Sequence, residues 1–284
     1  MACPDKAIPD RQPLIHFRSG AAGLGGTQVR HLKTIILATT IGAALAPAAQ
    51  AELTANIGVV SNYVFRGITQ TDNGPAVQGG VDYAHDSGFF VGTWVSNVEF
   101  KETESVDVID AAGETVTLTN ETDGPAYVEV DLYAGYGGTV DELSYKAGLY
   151  YYGYPGSSSF NYLELGLSGE YQATEAFGLS TALTYIINGN AKNDLPYNGG
   201  DFSAQVGASY ALPDGYTIGA TCGYQWFDDA DLSYPWVGAS LTKDVGDFGT
   251  FGLNLSEAWG DVKYVATDSN PENLKVWVSW VKTF

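Results

Sequence analysis

Seven charged residues lie in or beside short segments in which polar and apolar residues alternate. Five are carboxylates on the polar faces of their segments, and two are the basic counterparts. Carboxylates that line a pore attract cations and repel anions, most strongly at low ionic strength. The same groups could instead join tyrosines in an internal hydrogen-bonded plug, because small barrels often fill their interiors with side chains. Many glycines on the same faces favour a conducting lumen over the plug. The seven residues are Asp82, Glu129, Asp131, Glu164, Glu170, Lys146 and Arg66.

A hydrolytic site is a second candidate chemistry. Such sites commonly use a histidine as general base, and His85 is the only histidine after residue 51. It stands in a predicted tight turn beside Asp86 and Ser87, where an ordinary solvated turn residue accounts for it. We therefore predict that the chain is not an enzyme and that it needs no cofactor.

A run of acidic residues is a third candidate. Asp228, Asp229 and Asp231 could bind a calcium or magnesium ion, because hard cations prefer several oxygen ligands on a flexible loop. The spacing of an EF-hand loop is absent from this run. A charged, solvated loop accounts for these residues, and we predict no metal site.

The elements that position these residues are twelve short runs of alternating polarity. In the run 126–136, Val128, Val130 and Leu132 take one face, as the two-residue period of a β-strand requires, and Glu129 takes the other. The run 89–100 has two nearly equivalent faces, so the pattern does not orient it. The predicted strands span residues 53–65, 76–84, 89–100, 126–136, 143–152, 162–171, 178–187, 201–211, 216–227, 236–244, 251–259 and 274–284.

The connections between these strands alternate between long polar loops and tight turns. This rhythm predicts an all-β fold, a closed antiparallel up-and-down transmembrane β-barrel of about twelve strands in the bacterial outer membrane. Its surroundings would be outer-membrane lipid and lipopolysaccharide. If the barrel segment of the chain starts in the periplasm, an even number of strands returns its C-terminus there, with the turns on the same side and the long loops outside the cell. The first of these outward loops is predicted at residues 66–75.

The first 51 residues have the features of a targeting region. Basic residues precede an apolar segment at 35–46, and the Ala-Gln-Ala sequence at 49–51 has the small residues that a signal peptidase accepts. The apolar segment is too short to cross a membrane as a helix. We predict a signal peptide region at residues 1–51, with the true leader at 29–51, and a barrel at residues 52–284.

Charge and cysteine content exclude several classes of partner. The whole chain has a formal charge of −20, and residues 52–284 hold eight of the thirteen Lys and Arg but thirty-one of the thirty-three Asp and Glu. Nucleic acid is therefore a poor partner, because phosphate binding needs positive charge. Cys222 is the only cysteine after residue 51, so this part of the chain forms no internal disulfide. Nothing in the sequence indicates the oligomeric state.

Motifs in the first half of the predicted barrel resemble a known family. They are SNYVFRGITQ at residues 61–70, AVQGGVDY at 76–83, SGFFVGTWVSN at 87–97, EVDLYAGY at 129–136 and YYYGYPG at 150–156. Together they are similar to the TorF-like family of proteobacterial porins, and the match is looser after Glu170. The resemblance implies an outer-membrane barrel of the porin class, and it does not name a transported solute.

We therefore expect a porin-like channel for the passive diffusion of small polar solutes, with a preference for cations. The alternative is a non-conducting surface barrel whose acidic loops bind a partner or divalent ions. Conductance across a planar lipid bilayer separates the two hypotheses, because only the first requires an open aqueous path.

Overall fold

The computed structural model of the chain describes residues 51–100, 103–109, 115–121, 123–189, 197–227, 233–259 and 273–284, with backbone alone for 103–109 and 115–121. Residues 1–50 of the predicted signal peptide region 1–51 lie outside these residues, as does the acidic run at Asp228, Asp229 and Asp231. Within the described part, no helix is long and apolar enough to cross a membrane.

Strands make up most of the described chain. The strands that begin before residue 145 are β1 (Glu52–Val60), β2 (Val64–Phe65), β3 (Ile68–Thr69), β4 (Ala76–Ala84), β5 (Phe89–Phe100), β6 (Thr103–Ile109), β7 (Thr115–Glu121), β8 (Ala126–Val140) and β9 (Leu143–Gly153). Those that follow are β10 (Tyr162–Gln172), β11 (Phe177–Gly189), β12 (Phe202–Ala211), β13 (Tyr216–Trp226), β14 (Tyr234–Asp244), β15 (Thr250–Ala258) and β16 (Lys275–Thr283).

Twelve of these strands close into an antiparallel barrel, which confirms the predicted fold class. The order around the barrel is β1-β16-β15-β14-β13-β12-β11-β10-β9-β8-β5-β4, and β4 pairs with β1 to complete the circle. Closure leaves no strand edge unpaired. The remaining strands form two small hairpins, β2 with β3 and β6 with β7, inside connections between barrel strands.

Eleven predicted strands agree with the structure to within four residues at each end. The first does not: it was predicted over 53–65, but β1 ends at Val60. Val60 pairs with Ala76, the first residue of β4, and the intervening chain leaves the barrel sheet there. The alternating pattern continues past Val60 because β2 is also a strand, but β2 belongs to a different sheet.

The outward side chains of the barrel are mostly apolar, and charged and polar side chains face inward. On β8, Leu132 is 56% exposed, whereas Glu129 and Asp131 are 2% and 7% exposed. On β5, whose orientation the sequence left open, Val95 is 42% exposed and Ser96 is 1% exposed. This polarity is the inverse of a soluble barrel and matches barrels whose outer surface contacts lipid.

The two ends of the barrel differ. Connections of two to five residues join the strands at one end, which we call the turn end, and longer connections lie at the other, the loop end. Both limits of the barrel chain lie at the turn end, where the backbone N–H of Phe284 donates to the carbonyl of Ala55 at 2.8 Å.

Candidate functional site

The connection between β1 and β4, residues 61–75, folds into the lumen. We call it the inner hairpin. Val64, Phe65 and Ile68 at its centre are 2%, 4% and 1% exposed, although they lie outside the barrel sheet. The prediction of an outward loop at 66–75 is therefore wrong. These apolar side chains are removed from water by packing against the inner wall of the barrel.

The tip of the inner hairpin is a two-residue turn. Arg66 and Gly67 have φ values of 46° and 85°, the left-handed backbone that tight hairpin turns use. A Cβ atom on Gly67 would lie 2.7 Å from the Cβ of Trp236 and 3.0 Å from the Cβ of Ala258. Glycine therefore allows the tip to touch the wall formed by β14 and β15.

Hydrogen bonds hold the base of the inner hairpin. The side-chain amide of Asn62 donates to Asn73 Oδ1 at 3.1 Å, and the Thr69 hydroxyl donates to Asn62 Oδ1. The backbone N–H of Glu99, on β5, donates to the Gln70 carbonyl at 2.8 Å. The backbone N–H of Ser61 also donates to the carbonyl of Val278, on β16, at 2.9 Å. Hydrogen bonds thus join the two arms of the hairpin to each other and attach its base to β5 and β16.

Arg66 connects the tip to the opposite wall. Its Nη2 lies 2.8 Å and 2.9 Å from the two carboxylate oxygens of Glu164 on β10, and donates to Thr184 Oγ1 on β11 at 3.0 Å. Nη1 donates to Gln225 Oε1 on β13 at 3.2 Å. Burial lowers the pKa of the Arg66 guanidinium, but Glu164 together with Tyr152, Tyr162 and Tyr197 outweighs that effect and the pKa is raised. The group therefore stays charged.

Glu129 on β8 accepts hydrogen bonds from two tyrosine hydroxyls. Tyr63, in the inner hairpin, donates to Oε1 at 2.9 Å, and Tyr154, after β9, donates to Oε2 at 2.7 Å. Burial, with the nearby Glu129 carboxyl second, raises the pKa of Tyr63 well above its ordinary value. Tyr63 is therefore a neutral donor, and it gives the hairpin a further polar contact with the wall.

Asp131 lies two residues further along β8 and also faces inward. It interacts electrostatically with Glu129 and Glu164, and among the described residues its Oδ1 has no hydrogen-bond partner. Three buried carboxyl groups and one buried guanidinium thus lie in this part of the interior, and Glu164 is the carboxylate that pairs with the guanidinium. We call Arg66, Glu129, Asp131 and Glu164 the upper cluster.

Aromatic rings extend the buried layer around the wall. Tyr152 stacks on Tyr162 with ring centroids 4.3 Å apart, and Tyr162 stacks on Tyr197 at 5.2 Å. Tyr197 meets Phe227 edge to face at 5.6 Å. Phe65 of the inner hairpin packs against Tyr152 at 6.3 Å. The hairpin therefore packs against aromatic rings of the wall and also contacts its charged groups.

The buried layer is complete around the barrel. Each of the twelve barrel strands contributes an inward side chain that is at most 7% exposed. In order around the barrel they are Val60, Trp277, Ala258, Trp236, Gln225, Ser203, Thr184, Glu164, Tyr152, Glu129, Ser96 and Ala76. Water therefore does not reach the wall at this level in the structure.

The remaining predicted site residues lie nearer the turn end. The hydroxyl of Tyr133 donates to Asp82 Oδ1 at 2.7 Å, and Lys146 interacts electrostatically with Glu170 and Asp82. Lys146 Nζ lies 5.5 Å from the ring centroid of Phe90. We call Asp82, Lys146 and Glu170 the lower cluster. Its members are only partly buried, so solvent-accessible space exists at this level of the lumen.

The seven predicted residues all face the interior, but the structure divides them between two levels. Sequence reasoning missed Tyr63, Tyr154, Thr184 and Gln225, which complete the contacts of the upper cluster. Strand alternation places Thr184 and Gln225 on inner faces, so that signal was present. No local pattern identifies Tyr63 as a contact of the upper cluster, because the sequence predicts that it belongs to the end of the first barrel strand.

The structure describes His85 but not the acidic run at 228–231. His85 Nδ1 accepts from the backbone N–H of Ser87 at 3.1 Å and lies 2.7 Å from its hydroxyl oxygen, in an exposed turn. Within the described residues, no group of three or more His, Cys, Asp or Glu side chains is arranged to hold a metal ion.

Solved structures with a similar fold are barrels of the porin class. The KdgM porin is 9% identical, with a TM-score of 0.50 over 81% of this chain and 98% of that one. The NanC porin is also 9% identical, with a TM-score of 0.48 over 82% and 98%. The outer-membrane channel DcaP of Acinetobacter baumannii is 10% identical, with a TM-score of 0.40 over 84% and 100%. The likeness to KdgM supports the fold alone.

Sequence comparison assigns the family. No protein of curated function matches the chain. Residues 44–283 match the model of a family described as bacterial protein of unknown function, Gcw_chp. The match includes the whole barrel, the inner hairpin and both clusters. The chain therefore belongs to the Gcw_chp family.

Proposed function

We propose that this protein is a porin-like channel of the bacterial outer membrane for the passive diffusion of small polar solutes. The observation that carries the proposal is the inverted polarity of a closed barrel, with Leu132 56% exposed outside and Glu129 and Asp131 buried inside. Such a surface is stable in lipid and encloses a polar interior. The resemblance to TorF-like porins and the fold shared with the KdgM porin support the same proposal.

In this proposal the outer surface contacts lipid and lipopolysaccharide, with the turn end in the periplasm and the loop end outside the cell. Residues 1–51 act as the signal peptide region that directs export. The protein acts as a channel and not as an enzyme, since its best hydrolytic candidate, His85, lies in an exposed turn. The acidic barrel gives nucleic acid no favourable surface.

We further propose that the channel prefers cations. Five inward carboxyl groups face two inward basic groups, and a passing ion would come within range of their net field. Within the upper cluster, Arg66 balances Glu164 and two tyrosines bond Glu129. The preference is therefore expected to arise from Asp131 and the lower cluster while Arg66 is in place.

Reconstitution tests the proposal. Protein purified from bacterial outer membranes would be inserted into planar bilayers and into liposomes that contain sugars or amino acids. We expect conductance steps in potassium chloride, and liposome swelling with small solutes that stops as solute size rises. Absence of both signals, from protein that still shows the heat-dependent gel migration of a folded barrel, would contradict the channel.

The non-conducting barrel is the second candidate, and the complete buried layer favours it. A wall that no water reaches at one level has no aqueous path in the conformation described. A barrel of this kind would present its acidic loops to a partner or to divalent ions. It predicts no conductance under any voltage, together with calcium-dependent protection of the loops from proteolysis.

A further inference from the structure

We propose that the inner hairpin, residues 61–75, is a plug that closes the lumen at the loop end and that Arg66 is its latch. This inference rests on the proposed channel function and adds the element that controls it. The hairpin is not part of the barrel sheet. Its tip nevertheless contacts β14 and β15 and reaches β10, β11 and β13, which lie across the lumen from β1 and β4. A segment that reaches across the interior in this way blocks it.

The latch depends on a concentration of contacts at one side chain. Arg66 makes four hydrogen bonds to three wall residues, Glu164, Thr184 and Gln225, which are 0%, 4% and 0% exposed. Charge-assisted hydrogen bonds are stronger than neutral ones. Tyr63 adds one bond to Glu129 near the base. The hairpin is thus held at its tip by a single arginine.

The plug is built so that it can leave without opening the barrel. Both of its arms join the barrel at one place, where Val60 of β1 pairs with Ala76 of β4. The residue pairs that join neighbouring barrel strands include no residue of the hairpin. Displacement breaks the Arg66 contacts and the Tyr63 bond, together with base contacts such as those of Gln70 with Glu99 and Ser61 with Val278, and leaves the twelve-strand closure intact.

Opening would change the electrostatics of the lumen as well as its width. When Arg66 leaves, Glu164 loses its counter-charge, and Glu129 loses one of its two tyrosine donors. Because unpaired carboxylates attract cations, the open lumen would prefer cations more strongly than the closed one. Arg66 thus acts as both latch and neutralising charge.

Two variants remove the plug in different ways. In the first, Arg66→Ala is combined with Glu164→Gln, so that no buried charge is left without a partner. In the second, residues 61–75 are replaced by a four-residue turn that contains glycine, which joins Val60 and Ala76 directly. Heat-dependent gel migration verifies that each variant still forms a barrel.

Thiol labelling tests the plug without reference to transport. In a background with Cys3→Ser and Cys222→Ser, a cysteine replaces Ser203, an inward residue of the buried layer that is 3% exposed. The matched control is Ser180→Cys, an inward, partly buried residue nearer the turn end of β11. We expect several-fold faster labelling at position 203 in both plug variants, and unchanged labelling at position 180. Equal labelling at 203 with and without the plug would overturn the inference.

Conductance separates the failure of the plug from the failure of the channel. We expect short, infrequent openings from the unmodified protein and sustained, several-fold larger conductance from the shortened variant. If both conduct equally, the channel stands and the plug is wrong. If position 203 becomes reactive but no variant conducts, the plug stands and the proposed channel function is wrong.

Discussion

Arg66 and Glu164, 98 positions apart in the chain, meet inside the barrel with Nη2 2.8 Å from Oε2. Their side chains are 6% and 0% exposed, so the pair is removed from water. Arg66 lies at the tip of a hairpin and Glu164 on a barrel strand. The pair therefore joins a separable segment to the wall, and the first prediction concerns its energetics.

Removing one partner of this pair should destabilise the barrel more than removing both. Glu164→Gln leaves a buried guanidinium without a counter-charge, a change that costs about 3–5 kcal/mol for buried pairs. Arg66→Ala with Glu164→Gln avoids that cost, and we expect its free energy of unfolding to lie closer to that of the unmodified protein. Urea unfolding in detergent micelles measures both. A double variant less stable than Glu164→Gln would show that the charge pair is not the source of the effect.

The tyrosine hydroxyls on Glu129 should contribute measurably to stability. Tyr154→Phe removes the 2.7 Å bond to Oε2 and leaves part of a buried carboxylate unpaired. Hydrogen bonds to charged groups contribute about 1.5–3 kcal/mol, so a loss in that range is expected in urea unfolding. The control is Tyr127→Phe, because the Tyr127 side chain, near the start of β8, is 63% exposed. An equal loss in the control would mean that the bond to Glu129 is not responsible.

The inward carboxylates should set ion selectivity in the open lumen. Glu129→Gln, Asp131→Asn and Glu164→Gln together keep similar size while removing three acidic groups. In the variant with the shortened hairpin, we expect the reversal potential under a potassium chloride gradient to shift toward lower cation preference. The shift should shrink from about 0.1 to 1 M salt, since the screening length falls from roughly 10 to 3 Å. Unchanged selectivity at low salt would exclude these carboxylates as the cause.

The orientation of the barrel can be tested on intact cells. In the background without Cys3 and Cys222, Pro155→Cys lies at the loop end and Asp247→Cys at the turn end, and both positions are exposed. An impermeant thiol reagent should label position 155 on intact cells and position 247 only after the outer membrane is permeabilised. The opposite result would reverse the proposed orientation.

The strand pattern by itself determined the barrel. The period of two in segments such as 126–136 places Glu129 and Asp131 on one face and Leu132 on the other, and the structure confirms this. The alternation of long loops and tight turns then predicted closure between the first and last strands. These features are local, because a side chain's direction in a strand depends only on its position in the alternation.

Tertiary structure decided the orientation of β5 and the path of residues 61–75. Both faces of β5 carry similar residues, and its register against β8, with Trp94 opposite Asp131, selects the inward one. The inner hairpin reads as the end of a strand followed by an outward loop. Its direction depends on partners far along the chain, of which Glu164 and Gln225 are the main ones. A local sequence pattern cannot predict contacts between residues 98 and 159 positions apart. Such contacts form only when barrel closure brings distant strands around one lumen.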